Sequence, residues 1–203
     1  MKTNLGLVIN ARDLAIEAHE SVNHKYDGYL PYTFHLGMVV QAANNFIELL
    51  PSGDWGMDDA PAIVRAACWM HDVLEDTHLT YNDLVKKLVT WVTNPPNSHE
   101  VKSRAAIEIV YAVTNNKGRN RKERANDAYY QGIRETPYAT FVKLCDRVAN
   151  VTYGRLTGGS MVDVYRREHH RFLSSLSPIE DAYAPLVEHL SRITNQEFEL
   201  NRI

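Results

Sequence analysis

The segment Ala62-Ile63-Val64-Arg65-Ala66-Ala67-Cys68-Trp69-Met70-His71-Asp72-Val73-Leu74-Glu75-Asp76 decides how the chain is read. The residues before His71 are apolar apart from Arg65, which predicts a buried helix. That helix delivers His71 and Asp72 at its C-terminal end, within or beside a core. Ionisable groups next to apolar packing need a compensating partner, because an unpaired buried charge costs on the order of several kcal/mol. A metal ion is one such partner. A satisfied core histidine beside a solvated acidic turn is the other reading of the same residues. Offsets of three and four residues bring Glu75 and Asp76 to one face with His71 and Asp72, so one turn can carry both ligands and a proton-transfer group.

Outward from this segment the chain reads as helices. Leu7, Ala11, Leu14, Ala15 and Ala18 sit at helical spacing between Leu5 and Glu20. Asn23 to Tyr32 breaks the pattern with Gly28 and Pro31. Helical spacing resumes from His35 to Leu50 and stops at Pro51-Ser52-Gly53. Thr80-Tyr81-Asn82-Asp83 has the form of a capping box opening a helix to Thr93, closed by Asn94-Pro95-Pro96-Asn97. A further helix is expected from Glu100 to Thr114. Thr136-Pro137 reads as an N-cap with proline at the first helical position, and Ser160 to Asp163 and Ser177 to Glu180 read as two more capping boxes. No alternating strand is expected. The fold class is therefore all-α, a single compact domain over residues 1–203 of about eight to ten helices.

At 203 residues the chain is long enough to bury a substantial core. Its net charge of -3 argues against broad binding of a nucleic-acid polymer through a basic surface, and leaves room for a local basic pocket that holds an anionic small molecule. Cys68 and Cys145 lie in apolar contexts without CxxC spacing, which fits reduced core thiols and a cytoplasmic location. Neither a leader peptide nor an apolar run long enough to span a membrane is expected.

Chemistry collects at three further places. Lys143, Asp146, Arg147 and Asn150 occupy i, i+3, i+4 and i+7, a polar stripe among apolar neighbours that lines either a cavity or a solvent face. His35, His71, Asp72 and Asp146 together offer two imidazoles and two carboxylates, a set suited to Mn, Fe, Co, Ni or Zn. Lys25 and the basic run from Asn115 to Arg124 are cationic material able to hold phosphates, the run being otherwise a solvated loop and first helical turn.

These residues carry a resemblance to the HD superfamily of metal-dependent phosphohydrolases, whose signature H…HD…D reads here His35, His71-Asp72 and Asp146. More narrowly, the chain resembles the hydrolase domain of RelA/SpoT-type stringent-response proteins and small alarmone hydrolases. The matching residues are His19, Lys25, Pro31-Tyr32, His71 through Thr77, Val113-Thr114, Lys143 through Asn150, and Tyr183-Ala184-Pro185-Leu186. The resemblance implies one divalent ion, Mn2+ first, held by His35, His71, Asp72 and Asp146. It also implies that Glu75 and Asp76 orient or deprotonate the attacking water. Asn150 is then expected to contact the nucleotide, with Lys25 and Arg147 near the substrate or the metal-ligand scaffold and Lys143 on the substrate side. The implied reaction is removal of the 3′-pyrophosphate from guanosine tetra- or pentaphosphate, hydrolytic only. Two positions depart from the family pattern: its early arginine is His24 here, and its proline after the first ligand histidine is Leu36. The first departure gives base stacking to His24 or Tyr26, or opens the pocket to another nucleotide, such as a nucleoside monophosphate or a phosphorylated dinucleotide. A helical protein that binds a nucleotide without turnover is the alternative from another class.

Overall fold

A computed structural model describes residues 2–51, 59–89, 98–115 and 121–196. In chain order they form α1 (Lys2–Ser21), β1 (Lys25–Tyr26), β2 (Leu30–Pro31), α2 (Thr33–Asn45), α3 (Ala60–Met70), α4 (Val73–Asp76), α5 (Tyr81–Leu88) and α6 (Ser98–Val113). Then come α7 (Arg121–Arg124), α8 (Asp127–Glu135), α9 (Ala139–Thr157), α10 (Met161–Leu176) and α11 (Ala184–Asn195). Among the described residues the fold is all-α apart from one minimal hairpin. Nine helices of eight residues or more among them agree with the expected range, and α4 and α7 are single turns of four residues.

The core forms around α3 and α9. Helix α3 packs against α1, α2, α6 and α9, and eight of its eleven residues are buried, many of them alanine, which lets neighbouring backbones come close. Helix α9 is apolar around most of its circumference, with Phe141, Val142, Leu144, Cys145, Val148 and Val151 buried, as expected of a helix enclosed by others. Cutting a fully buried Leu144 back to alanine would cost about 2–5 kcal/mol through lost burial and the cavity left behind. Gly154 on α9 admits α10: a Cβ there would lie 2.7 Å from Val162 Cγ2. Gly158 ends α9 in the left-handed conformation that glycine adopts without steric cost.

The structure differs from expectation at several boundaries. The central helix does not run on through His71. It stops at Met70, His71 and Asp72 form a turn, and α4 starts afresh with the Glu75 and Asp76 amides both bonded to the Asp72 carbonyl. Helix α2 ends at Asn45, and a 3-10 turn at Ile47–Leu49 follows. The box at Thr80 forms with both reciprocal bonds, but its helix ends at Leu88. Residues 90–97, including the Asn94 to Asn97 stop, lie outside the described residues, as do Ser52-Gly53, residues 116–120 of the basic run and Phe198 to Leu200.

Thr136 caps the C-terminus of α8 and does not open α9. Helix α9 begins after Tyr138, a buried residue at φ 65 whose carbonyl accepts from the Val142 amide. Ser160 precedes α10 without a capping bond from its side chain: its backbone is helical (φ -61, ψ -18) and not extended as in a cap, and Asp163 pairs with Arg166 at 2.8 Å instead. Ser177 ends α10 rather than opening a helix, and a 3-10 turn at Asp181–Tyr183 leads into α11. Helix α8 was not anticipated. The hairpin escaped pattern reading because its strands have two residues each, paired Lys25 with Pro31 and Tyr26 with Leu30, too short for alternation. Its turn is made by Asp27 and Gly28, both at positive φ.

Candidate metal centre

Three elements converge on one point. Helix α2 contributes His35, the α3–α4 turn contributes His71 and Asp72, and α9 contributes Asp146. The two Nε2 atoms of His35 and His71 stand 3.2 Å apart. Asp72 Oδ2 lies 2.9 Å from His71 Nε2 and 3.5 Å from His35 Nε2. Asp146 Oδ1 approaches the same two nitrogens at 3.5 and 3.8 Å. One donor atom each from His35, His71 and Asp72 falls within 4.8 Å of the others, the spacing of a coordination sphere.

The chemistry of this donor set fits a divalent ion. His71 Nδ1 lies 2.9 Å from the Cys68 carbonyl and donates to it, so its Nε2 presents a lone pair to the cluster. Burial opposes charge on both imidazoles, yet the carboxylates outweigh it. His35 is raised to about 9 by its hydrogen bonds to Asp146 and Asp72, and His71 is raised through Asp72. Burial likewise opposes the carboxylates, and again neighbours win: His71 and His35 hold Asp72 low, while Lys143 and the histidines hold Asp146 low. Two ionised carboxylates facing two imidazole nitrogens call for positive charge at their centre, which protons on the imidazoles or a divalent ion can supply.

The donors are braced from behind. Asn150 Nδ2 donates to Asp146 Oδ1 at 2.6 Å, Lys143 Nζ donates to Asp146 Oδ2 at 3.0 Å, and Tyr32 donates its hydroxyl to Asp72 Oδ2 at 2.5 Å. Tyr26 stacks on the His35 ring, 4.9 Å between centroids, and donates its hydroxyl to Asn150 Oδ1 at 3.1 Å. Such partners orient ligands and commonly change metal affinity by about 10–100-fold.

Glu75 and Asp76 diverge. The Asn115 backbone amide and side chain clasp the Glu75 carboxylate at 2.9–3.2 Å, with Arg124 at 3.9 Å. Among the described residues Asp76 is held differently, by the Tyr32 hydroxyl and with His24 Nδ1 3.9 Å from its Oδ2. Burial, with the charges of Asp72 and Glu75, pushes its carboxyl up to about 7, the range of a general acid or base near neutral pH.

The cluster opens into a cavity of about 480 Å³ whose lining includes Asp72, Glu75, Asp76 and Asp146 at one end. Tyr129 and Tyr130 of α8 and Tyr165, Glu168, Arg171 and Phe172 of α10 form its other walls. Arg147 reaches it as a buried guanidinium set 4.0 Å from the Phe172 ring centre and 4.7 Å from that of Tyr165, with Glu168 Oε2 at 3.9 Å.

Of the residues expected on the substrate side, Lys143, Arg147 and Asn150 line this cavity, and Lys143 and Asn150 are also bonded to Asp146. His24, Lys25 and Tyr26 are outside its lining. His24 stacks on Tyr32 at 3.9 Å, with Nδ1 at 3.1 Å from His19 Nδ1 and 3.9 Å from Asp76 Oδ2. Lys25 is exposed on the hairpin. Sequence reasoning missed the roles of Tyr32 and Asn115 and the whole α10 wall. The spacing of Tyr165, Glu168 and Phe172, offsets of three and four, was the signal for that wall.

No family model and no curated protein matches the chain. Among solved structures, one described as a metazoan ortholog of SpoT that hydrolyzes ppGpp and plays a role in starvation responses is similar to it, with a TM-score of 0.62. The likeness covers 92% of this chain and 93% of that one at 19% sequence identity. The two share the all-α fold.

Proposed function

We propose that this chain, which shares its fold with a ppGpp hydrolase, is itself a metal-dependent phosphohydrolase that removes the 3′-pyrophosphate from guanosine tetra- or pentaphosphate, acting as one domain over residues 1–203. The observation that carries the reading is the convergence of His35, His71, Asp72 and Asp146 at the acidic end of a cavity large enough for a small-molecule ligand. These four residues would hold the ion, with Mn2+ preferred and Fe, Co, Ni or Zn compatible with the same donors. When bound, a divalent cation makes a water acidic near neutral pH and offsets the charge on phosphoryl oxygens.

The chain's own residues do the rest. Asp76 takes the proton of the water as its oxygen bonds to the phosphorus attached at the 3′-oxygen. The bond between that phosphorus and the 3′-oxygen breaks, the ribose oxygen takes up a proton from bulk water to leave as a hydroxyl, pyrophosphate departs, and Asp76 returns its proton to bulk water. A carboxyl near 7 suits this proton transfer. Glu75, held by Asn115, fixes the α4 turn and orients the water from its side. Arg147, immobilised between two rings, sets a permanent positive charge in the cavity for substrate oxygens. Lys143 and Asn150 act through Asp146, with Asn150 also available to the nucleotide.

Among the described residues no helix is long and apolar enough to cross a membrane. The buried thiols of Cys68 and Cys145, both pushed up by burial, suit a reducing compartment, and we take the cytoplasm as its location. The test is incubation of purified Mn-loaded protein with guanosine tetraphosphate. Pyrophosphate is expected as product, and absence of turnover at full metal content overturns the assignment. A nucleotide panel run alongside separates this reading from hydrolysis of another nucleotide, which gains support from the exclusion of His24, Lys25 and Tyr26 from the cavity lining.

A further inference from the structure

We propose that a hollow between α8 and α10 is a phosphate subsite of the same cavity, anchored by Arg171, which takes the 5′-phosphates of the nucleotide whose 3′-pyrophosphate faces the metal ligands. The proposal rests on the nucleotide pyrophosphate reading above. The main cavity does not end at its α10 wall. A second hollow of about 370 Å³ adjoins it, and Tyr130 and Arg171 belong to both linings. Its remaining lining is rich in hydrogen-bond donors: Arg134 from α8, with Ser174, Ser175 and Ser177 at the end of α10, against the single carboxylate of Asp127. Arg134 Nη1 donates to the Ser175 carbonyl at 2.5 Å, which ties α8 to α10 across this hollow and fixes a guanidinium there.

Charge separates along the combined space. Asp72, Glu75, Asp76 and Asp146 crowd one end and outnumber Lys143, paired with Asp146 at 3.0 Å, and Arg124, 3.9 Å from Glu75, so this end repels any phosphate not held against a further cation. Arg171 stands at the opposite end, exposed and without an ion pair or hydrogen bond among the described residues. An unpaired guanidinium keeps its fork of donors for two oxygens of one phosphate, a contact that lysine's point charge reproduces only in part. A nucleotide with phosphates on both sides of its ribose matches a space that is acidic and metal-binding at one end and basic at the other.

The test compares two ligands that both carry the 3′-pyrophosphate and differ only in the remote phosphates, guanosine 5′,3′-tetraphosphate and guanosine 3′-diphosphate. Binding is measured calorimetrically on Mn-loaded protein carrying Asp76→Asn to stop turnover, with and without Arg171→Ala or Arg171→Lys. Arg171→Ala should weaken the tetraphosphate about tenfold and leave the 3′-diphosphate unchanged, while Arg171→Lys recovers part of the loss. Equal losses for both ligands, or no loss for the tetraphosphate, overturn the subsite. Turnover is not the readout, so an Arg171-dependent tetraphosphate preference without hydrolysis in the parent protein retains the subsite and sinks the hydrolase reading alone.

Discussion

The two ends of the cavity are built differently. At the metal end nearly every charged group is cross-braced: Asp146 by Lys143 and Asn150, Asp72 by Tyr32, His71 by the Cys68 carbonyl, Glu75 by Asn115. At the α10 end Arg147 is wedged between rings, but Arg171 stands exposed and uncommitted. Chemistry that depends on sub-ångström placement is preorganised by buried hydrogen bonds, whereas phosphate capture needs only a reachable charge. The contrast predicts steep losses for substitutions at the first end and shallow ones at the second.

The largest effect is expected from Asp72→Ala, which removes a proposed ligand. Metal content should vanish and pyrophosphate release fall by at least about 1000-fold. Retained metal at full occupancy would move Asp72 out of the coordination set. Next is Asp76→Asn, which should keep the metal and lower kcat by about 100- to 1000-fold. For the metal-loaded wild type, kcat should drop at acid pH as Asp76 takes up its proton, below the metal-free value because a bound cation favours the carboxylate, and this limb should be absent from the variant. A kcat limb unchanged by the substitution assigns the proton transfer elsewhere.

The same shift has a stability counterpart in metal-stripped protein. Asp76 is raised from 3.8 to about 7 on folding, so between those values the folded state holds a proton that the unfolded state has lost. Its contribution is fully present below the unfolded value and lost as pH rises through about 7. Asp76→Asn should therefore gain stability relative to wild type between pH 5 and pH 8, a range spanning about 7, read by denaturant midpoints. Smaller again is Tyr32→Phe, which deletes one hydroxyl behind Asp72. Metal affinity should weaken about tenfold. An unaltered affinity would mean that the bracing at this end is structural only, and the comparison between the two ends would lose its sharpest support.

Much of the metal end was legible because its signals are local. An apolar run before His71-Asp72 marks a buried helix, and the 3–4 spacing of Lys143, Asp146, Arg147 and Asn150 marks one face of another. The helix boundaries around residues 136 and 177 were misread for one shared reason, whereas the helix expected after Ser160 does open at Met161. A Ser or Thr followed by Pro or an acid fits the start of a helix as well as the end of the one before it, and packing chooses between them. At Thr136 the choice falls to Tyr138, which adopts a left-handed conformation in the core and so delays α9 by two residues.

By itself the sequence determined the all-α class through its helical period, and its residue chemistry together with the resemblance to HD-type hydrolases singled out the four metal-binding candidates and the acidic pair beside them. Only the tertiary structure decided what each group is bonded to. Asp72 meets Tyr32, forty residues away, Glu75 meets Asn115 across the same separation, and Tyr26 meets Asn150 across 124 residues. Those pairings split Glu75 from Asp76, turned Lys143 and Asn150 toward Asp146, and moved attention from the hairpin to α10. Hydrogen bonds and burial between distant segments leave no periodic trace in a chain, because they exist only once the helices have packed.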